Sequence, residues 1–372
     1  MQRLGRWLVV AAIVLTPATM LGSMAHADVA NNSTASNVQD GSNKQNTSQS
    51  GSTKSGDSVG GQVAGVVASG NVSVDATNKS DHVDVTSGDA RGTNSAAQFT
   101  GLNQSTSTAI AADVLNAAQA TNVQEGVNKS DLSQTLTATS GDGVGGQVIG
   151  VVSSGGSASI VAANTSTNVD ISTGDARAFN DAAAFGGLNS SSDTSVANGA
   201  DVLNAATATN VQEGDNRLNA NQSATSGSGD GVGGQVLGIV SAGNASVDAT
   251  NKSDTVDVET GDSRAGNDFA SFVGLEDATS TSVGAAADVL NGAPASNVQQ
   301  GDNSKRLGQS ATANTGDAVA GEVVGVVTSA GGSADLVLAN TSSNADTQSG
   351  DGRFFNTDTS FTGLDVSPGL SV

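Results

Sequence analysis

The sequence predicts an all-β protein, a solenoid-like array of four tandem repeats of about 86 residues each. Three observations lead to this prediction: a fixed internal period, Gly-Asp turns at equivalent positions of every repeat, and short stretches in which apolar and polar residues alternate. A period of this kind is typical of stacked arrays in which each unit shields its neighbours from water. The shape of the array is therefore the expected product of the sequence.

The period is clearest at the start of each repeat. There an Asp-Val dipeptide stands nine residues before the asparagine of an NVQDG, NVQEG or NVQQG motif. Successive starts are 85, 88 and 87 residues apart, and the fourth unit has 85 residues. The chain is accordingly divided into a leader and four repeats: 1–27, 28–112, 113–200, 201–287 and 288–372.

The leader has the features of a secretory signal peptide. Arg3 and Arg6 precede an apolar run from Trp7 to Leu15, and Ala25-His26-Ala27 fits a small-x-small cleavage site. The apolar run has nine residues, whereas a membrane-spanning helix needs about 20. We therefore expect a secreted protein, extracellular or at the cell surface, without a membrane span after cleavage.

Composition excludes several classes of function. Removal of Arg3 and Arg6 with the leader leaves 12 basic against 36 acidic residues, a net charge of −24, which makes nucleic acid and anionic lipid poor partners. After residue 27 the chain has no Trp, Tyr, Cys or Met and a single histidine, His82. Cysteine nucleophiles, histidine triads, His or Cys metal sites and disulfides are thereby excluded, so we predict that the protein is not an enzyme.

Two Gly-Asp corners in each repeat mark turns between strands. The first corner opens an apolar run such as GDGVGGQVIGVV, and we interpret this run as a buried strand with close backbone approach. The second corner closes an alternating segment, for example Val83 and Val85 around Asp84, which has the period of a β-strand. The Ala-rich stretch Ala109 to Ala120 is compatible with a short helix or with strands.

Disorder is the simplest alternative, because acidic chains with few large apolar residues commonly stay unfolded. The phenylalanines argue against it, since one occurs in an FxGL motif of every repeat, at Phe99, Phe185, Phe272 and Phe361. A stacked core gives a reason for this register. A string of small β-sandwich domains is a second alternative, but such domains usually need more large or aromatic residues, so we favour the solenoid.

The second corner and its alternating strand resemble the TGDA-type repeats of secreted and surface proteins of bacteria and archaea. The resemblance is best over 84–94, 170–180, 257–267 and 346–356, where the chain contains TGDAR or related sequences followed by asparagine. It implies an exported, structural β-solenoid or fibre and no enzymatic activity. The long unit and the NVQEG and FxGL motifs depart from the pattern.

The second corner also contains the main candidate site. An aspartate and an arginine stand at positions i and i+2 in every repeat, and they would share one face of an extended chain. We interpret them as structural, hydrogen-bonded between coils or to Asn94, Asn180, Asn267 and Asn356, rather than as a contact for an anionic or carbohydrate ligand. The pairs are Asp89 and Arg91, Asp175 and Arg177, Asp262 and Arg264, and Asp351 and Arg353.

Calcium is the only metal that the composition suggests. The weak candidates are the first-corner aspartates Asp57, Asp142, Asp230 and Asp317. Calcium takes six to eight oxygen ligands, and the corners lack a spaced DxDxDG ligand run. We therefore expect no cofactor and no more than weak Ca²⁺ binding that screens the negative charge.

These observations together predict a secreted structural protein that self-assembles into an extracellular fibre, sheath, coat or matrix. The expected partners are other copies, joined head to tail, and components of the cell envelope. A repetitive adhesin or ligand-binding surface, calcium-binding or ice-binding, is the alternative; its rows of Ser and Thr would have to come from the irregular STST, SDTS and STS segments. A polysaccharide lyase or hydrolase is least favoured because sugar-binding aromatic residues are absent.

Overall fold

A computed structural model shows a parallel β-solenoid in which each repeat forms one turn, here called a rung. The structure describes residues 29–30, 33–103, 106–110, 114–115, 118–189, 192–196, 202–203, 206–276, 279–283, 289–290, 295–328, 333–365 and 369–371. The leader and the Asp that begins each repeat lie outside the described residues. Rungs are numbered 1 to 4 along the chain, and "above" means toward rung 4.

Each rung contributes one strand to each of seven four-stranded sheets, numbered in the order in which the chain enters them. Sheet 1 consists of β1 (Val29–Ala30), β8 (Val114–Leu115), β15 (Val202–Leu203) and β22 (Val289–Leu290). Sheet 2 consists of β2 (Ser33–Gln39), β9 (Ala118–Gln124), β16 (Ala206–Gln212) and β23 (Ala295–Gln299). Sheet 3 consists of β3 (Asn43–Lys54), β10 (Asn128–Thr139), β17 (Asn216–Gly227) and β24 (Asn303–Asn314).

The remaining four sheets contain most of the long strands. Sheet 4 consists of β4 (Ser58–Ser69), β11 (Gly143–Ser154), β18 (Gly231–Ser241) and β25 (Ala318–Thr328). Sheet 5 consists of β5 (Val72–Thr86), β12 (Ala158–Ser172), β19 (Ala245–Glu259) and β26 (Ala334–Gln348). Sheet 6 consists of β6 (Ala90–Asn103), β13 (Ala176–Asn189), β20 (Ser263–Glu276) and β27 (Gly352–Asp365). Sheet 7 consists of β7 (Thr106–Ile110), β14 (Ser192–Val196), β21 (Thr279–Val283) and β28 (Gly369–Ser371).

All strand pairing is parallel and joins equivalent positions of neighbouring repeats. Val114 pairs with Val29 below and with Val202 above, and the same register continues through the long sheets. One rung is therefore a single repeat of 85 to 88 residues. The predicted solenoid is confirmed, and the alternative of separate β-sandwich domains is wrong because every sheet crosses all four repeats.

The chain doubles back once within each rung, so the solenoid has two layers. Sheet 4 leads to sheet 5 through a tight turn that includes Gly70 in rung 1, where the positive φ of 88° favours glycine. On return, sheet 5 packs against sheet 4, sheet 6 against sheet 3, and sheet 7 against sheet 2. The two Gly-Asp corners lie between these packed pairs, the first between sheets 3 and 4 and the second between sheets 5 and 6.

The core is a thin layer of small and β-branched side chains between the packed sheets. Between sheets 4 and 5 it includes Ile149, Ile160, Leu237 and Val247, each no more than 1% exposed. Glycine makes room for it: a Cβ on Gly145 would lie 2.3 Å from Cδ1 of Ile171. The scarcity of large apolar residues therefore matches a core that is only one side chain deep on each layer.

The structure also bears on two local expectations, the Ala-rich stretch and the GGQV run. The stretch from Ala109 to Ala120 is strand wherever it is described, in β7, β8 and β9. The GGQV run is a strand, but the expectation that it is buried is wrong for half of its side chains, because only alternate residues face the core. No described segment is a helix long and apolar enough to cross a membrane.

Candidate functional site

The Gly-Asp corners form two columns of hydrogen bonds that run along the solenoid axis. At the first corner the backbone N–H of each aspartate donates to Oδ1 of the aspartate one rung below, at 3.1 Å from Asp142 to Asp57 and 2.9 Å from Asp230 to Asp142. The residue before each glycine is Ser or Thr, and its hydroxyl accepts the next glycine N–H, as Ser140 does from Gly229 at 2.8 Å. The motif Ser/Thr-Gly-Asp thus closes the backbone bonds that the turn would otherwise leave open.

The second corner has the same geometry and adds an arginine. The N–H of Asp175 donates to Asp89 and that of Asp262 to Asp175, both at 3.0 Å, and the N–H of Asp351 donates to Asp262 at 2.9 Å. In these bonds between rungs, both the donor N–H and the acceptor carboxylate belong to aspartates.

The arginines bond within their own rung. Arg91, Arg177, Arg264 and Arg353 contact the Asp two residues earlier at 2.7, 2.7, 3.2 and 2.8 Å. The part of the sequence hypothesis that linked this pair to Asn94 and its equivalents finds no such bond among the described residues. Because these pairs are substantially exposed to solvent, they add little to the stability of the fold.

Hydrogen bonding also sets the electrostatics of this corner. The pKa of Asp262 lies below its usual value, first because the Asp351 N–H donates to its carboxylate; burial opposes this shift, and the adjacent Arg264 adds to it. Likewise the Asp351 carboxylate raises the pKa of Arg353. Both effects favour the charged forms of these two side chains.

Hydrogen bonds between the two layers join the second corners to the first corners. The hydroxyl of Thr173 donates to the carbonyl of Gly229 at 2.9 Å, and Thr260 donates to Gly316 at 3.1 Å. Each such bond links the second corner of one rung to the first corner of the rung above. The Ser or Thr of the second corner therefore fixes both the layer separation and the rise of the coil.

The calcium candidates do not converge on a single point. Asp57, Asp142, Asp230 and Asp317 stack in one column, and the first three each accept a backbone N–H through Oδ1. In the described part of the chain no group of three or more acidic or histidine side chains has the geometry to hold a metal ion. A strong Ca²⁺ site at these corners has no geometric support.

Columns of amide side chains run through the interior, and the sequence did not predict any of them; Asn94 and its equivalents were expected only as partners of the Asp–Arg pairs. Neighbouring amides in a column are joined at 2.7–3.3 Å. Most also bond the facing layer: Asn180 donates to the carbonyl of Ser223 at 2.9 Å. The columns include Asn37, Asn122 and Asn210; Asn43, Asn128, Asn216 and Asn303; Gln49, Gln134, Gln222 and Gln309; Gln62, Gln147 and Gln235; Asn78, Asn164, Asn251 and Asn340; and Asn94, Asn180, Asn267 and Asn356.

The signal for these columns was present in the repeat alignment. Every member occupies the same offset in its repeat, and it falls on the alternate positions that face the core. An amide at such a position is costly to bury alone, but it can donate to the rung on one side and accept from the other. Asn or Gln repeated at a core-facing offset is thus a marker of stacking between rungs.

The four FxGL phenylalanines form a column of stacked rings. Ring centroids are 4.8 Å apart from Phe99 to Phe185, 5.4 Å from Phe185 to Phe272, and 5.3 Å from Phe272 to Phe361. The column alternates with core-facing positions such as Gln98, so it lies on the face of sheet 6 opposite the core. The register predicted from sequence is present, and Phe272, whose ring stacks on a phenylalanine on each side, is only 6% exposed.

Rung 4 differs from the interior rungs. Leu336, Leu338 and Phe354 face the core layer but are 41%, 45% and 68% exposed, because no described residue lies above them. Lys305 and Asp358, also at core-facing positions, form an ion pair with Nζ 2.6 Å from Oδ1.

Comparison with known protein families, with curated proteins and with solved structures finds no match to this chain. The functional assignment therefore rests on the columns, corners and open end described above.

Proposed function

We propose that this is an exported structural protein whose molecules stack end to end into a filament with four rungs per molecule. The observation that carries the proposal is the upper end of the described residues, where no further rung covers the core-facing side chains and backbone groups of rung 4 as their equivalents below are covered. Unpaired strand edges of this kind template further pairing, and a head-to-tail contact that does not close produces a filament.

The backbone of rung 4 is aligned for this addition. The N–H of Asn216 donates to the carbonyl of Asp302, and that of Ser228 donates to the carbonyl of Asn314. Because successive residues of a parallel strand bond to opposite sides, the even-numbered residues of β24 bond to rung 3. The odd-numbered ones, including Ala311, direct their N–H and C=O groups to the open end.

In two columns, the rung 4 side chain and the rung 1 side chain are a matching hydrogen-bond donor and acceptor. Lys305 belongs to the column that begins with Gln45, whose Oε1 is buried without a partner in the single molecule. Glu322 belongs to the Gln62 column, in which the upper amide donates to the oxygen below, as Gln147 does to Gln62. In a stacked pair, Lys305 would donate to Gln45 of the next molecule and Glu322 would accept from its Gln62.

A proline substitution tests this proposal. Ala311→Pro removes an N–H that points to the open end and leaves the bonds to rung 3 intact, which edge strands tolerate. We expect the wild-type protein to form filaments in a concentration-dependent way by electron microscopy and light scattering, and Ala311→Pro to remain folded and unassembled. The matched control is Thr312→Pro, which removes a bond to rung 3 and should lower the melting temperature.

The proposal is wrong if the wild-type protein is a monodisperse monomer at high concentration, or if Ala311→Pro assembles as the wild type does.

A hydroxyl-bearing surface supports a second candidate, the ligand-binding alternative. On the outer face of sheet 3, Ser and Thr occupy two adjacent columns: Ser50, Thr135, Ser223 and Ser310, and Ser52, Thr137, Thr225 and Thr312. The columns are about 7 Å apart, and the rungs about 4.8 Å. If this array binds ice, the Ala311→Pro monomer should inhibit ice recrystallisation, and Thr137→Val with Thr225→Val should change that activity; no inhibition would remove the candidate.

A further inference from the structure

The outer face of sheet 4 is an apolar surface that the proposed axial contact does not use. Twelve valines, three from each rung, point away from the core in three columns, and we call this surface the valine face. Its members are Val59, Val144, Val232 and Val319; Val63, Val148, Val236 and Val323; and Val67, Val152, Val240 and Val327.

The valine face is exposed and uncharged. Its side chains are 39–83% exposed, and all other outward positions within these four strands are Gly or Ser. In a chain of net charge −22, a neutral surface of this size is unusual. The opposite face of the same two-layer unit, on sheet 5, displays a column of exposed carboxylates from Asp84, Asp170, Asp257 and Asp346.

Glycine columns separate the valine columns, and only one of the two is required by the fold. In the first, a Cβ on Gly146 would lie 2.0 Å from the carbonyl oxygen of Gly234, so the backbone of the next rung excludes a side chain. In the second, a Cβ on Gly65, Gly150 or Gly238 would meet no atom within 4 Å. Their φ angles are also outside the range that favours glycine.

The second glycine column therefore has no explanation within a single molecule. Glycine weakens a strand interior, and the fold leaves room for a Cβ at these positions. What the glycines provide is a groove open to solvent between two valine ridges.

We propose that the valine face binds the valine face of a second copy of this chain, with the valine columns of each copy lying in the glycine columns of the other. Successive valine columns are four residues apart, about 13 Å, and the glycine columns lie halfway between them. A displacement of two residues places two ridges of each copy over two grooves of the other. Such dry, interdigitated packing of like sheets is the arrangement of a steric zipper, and a twofold axis would make it self-complementary.

Charge favours a second copy as the occupant, and area sets the strength of the contact. The twelve valines expose the equivalent of about six to seven whole side chains, on the order of 600 Å² per molecule at roughly 100 Å² each. The two columns that interdigitate in each copy account for about two thirds of this area, so two copies would bury about 800 Å² through valine alone, which is the size of a weak, reversible contact. Pairing through this face buries no carboxylate, whereas pairing through sheet 5 would bury the Asp84 column and its equivalents.

The experiment isolates the lateral contact with Ala311→Pro as the background, because this variant suppresses axial stacking. Sedimentation equilibrium at 150 mM NaCl, which is about physiological ionic strength, should show a monomer–dimer equilibrium. Filling the grooves with Gly150→Val and Gly238→Val should weaken the dimer at least tenfold, although it adds apolar surface. Val148→Thr with Val236→Thr should also weaken it.

The matched control is Val161→Thr on sheet 5. Val161 is 45% exposed and Val148 is 39% exposed, so the two substitutions remove similar apolar area from opposite faces. Val161→Thr should leave the dimer unchanged. Circular dichroism and melting temperatures establish that every variant is folded.

Three results would overturn the proposal. A monomer at concentrations up to about 1 mM would leave the face without a self-contact. A tighter dimer after groove filling would show nonspecific hydrophobic association. Binding of the monomer to neutral phosphatidylcholine vesicles in place of dimerisation would identify a lipid surface as the occupant. The lateral and axial contacts are independent: single wild-type filaments contradict only the lateral one, and dimers without filaments contradict only the axial one.

Discussion

Rungs 2 and 4 contribute side chains to the same columns, but these side chains are buried in rung 2 and exposed in rung 4. Ile160 in rung 2 is 1% exposed, and Leu336, two rungs above it in the same column, is 41% exposed. The phenylalanine column shows the same contrast, with Phe272 at 6% in rung 3 and Phe361 at 45% in rung 4. The side chains that are buried in the interior rungs are therefore equivalent to those left exposed at rung 4, which the proposed axial contact would cover.

This contrast explains how a chain with so few large apolar residues can form a stable array. Each rung has a core only one layer deep, and it gains most of its burial from the rungs above and below rather than from itself. Stability is then approximately a sum over contacts between neighbouring rungs. The four rungs that the structure describes have three such contacts, and in the proposed filament each axial addition would create another.

The largest expected difference between an interior rung and rung 4 is in the stability cost of a core substitution. Ile160→Ala should lower the free energy of unfolding by about 2–5 kcal/mol, because it leaves a cavity between two rungs. Leu336→Ala should cost less than about 1 kcal/mol in the unassembled protein, since its side chain is already half in water. Urea unfolding in the Ala311→Pro background measures both.

Assembly should make Leu336→Ala more costly than it is in the unassembled protein. In wild-type filaments Leu336 would be covered by the next molecule, so Leu336→Ala should raise the concentration needed for assembly. Equal effects of Ile160→Ala and Leu336→Ala on the unassembled protein would mean that rung 4 is covered by some part of the chain outside the described residues.

The sequence predicted the elements that recur with a strict period and missed those that need a second rung to be understood. The corners, the strands around Val83 and Val85 and the phenylalanine register follow from local turn chemistry and alternation. The amide columns do not, because an Asn or Gln in a single repeat resembles a surface residue until its partner one repeat away is considered. Hydrogen bonds between coils were predicted at Asp175, but not that a backbone N–H is the donor. The valine face was missed for the opposite reason: an apolar run was taken as buried on both sides.

A smaller difference is expected in the amide columns. Asn251 accepts from Asn164 at 2.9 Å and donates to Asn340 and to the carbonyl of Val323, both at 3.0 Å. Asn251→Ala leaves buried groups on two sides without a partner and should cost about 1–3 kcal/mol. Asn340→Ala, at the open end of the same column, should cost less than half as much by the same urea titration. Similar costs would show that the column does not act through stacking.

The smallest effect concerns the corner carboxylate that accepts a bond from rung 4. The pKa of Asp262 is lowered chiefly by the Asp351 N–H, so the bond stabilises the folded protein fully above the unfolded value of about 3.9 and is lost as the pH falls through the lower, folded value. The stability difference between wild type and Asp262→Asn should thus be constant near neutral pH and shrink below about pH 4. Arg264→Ala should retain most of this pH dependence, because the arginine is the secondary cause. If Arg264→Ala abolished this pH dependence, the ion pair within one rung, and not the bond between rungs, would control the pKa of Asp262. The contrast between the interior rungs and rung 4 would then not extend to electrostatics.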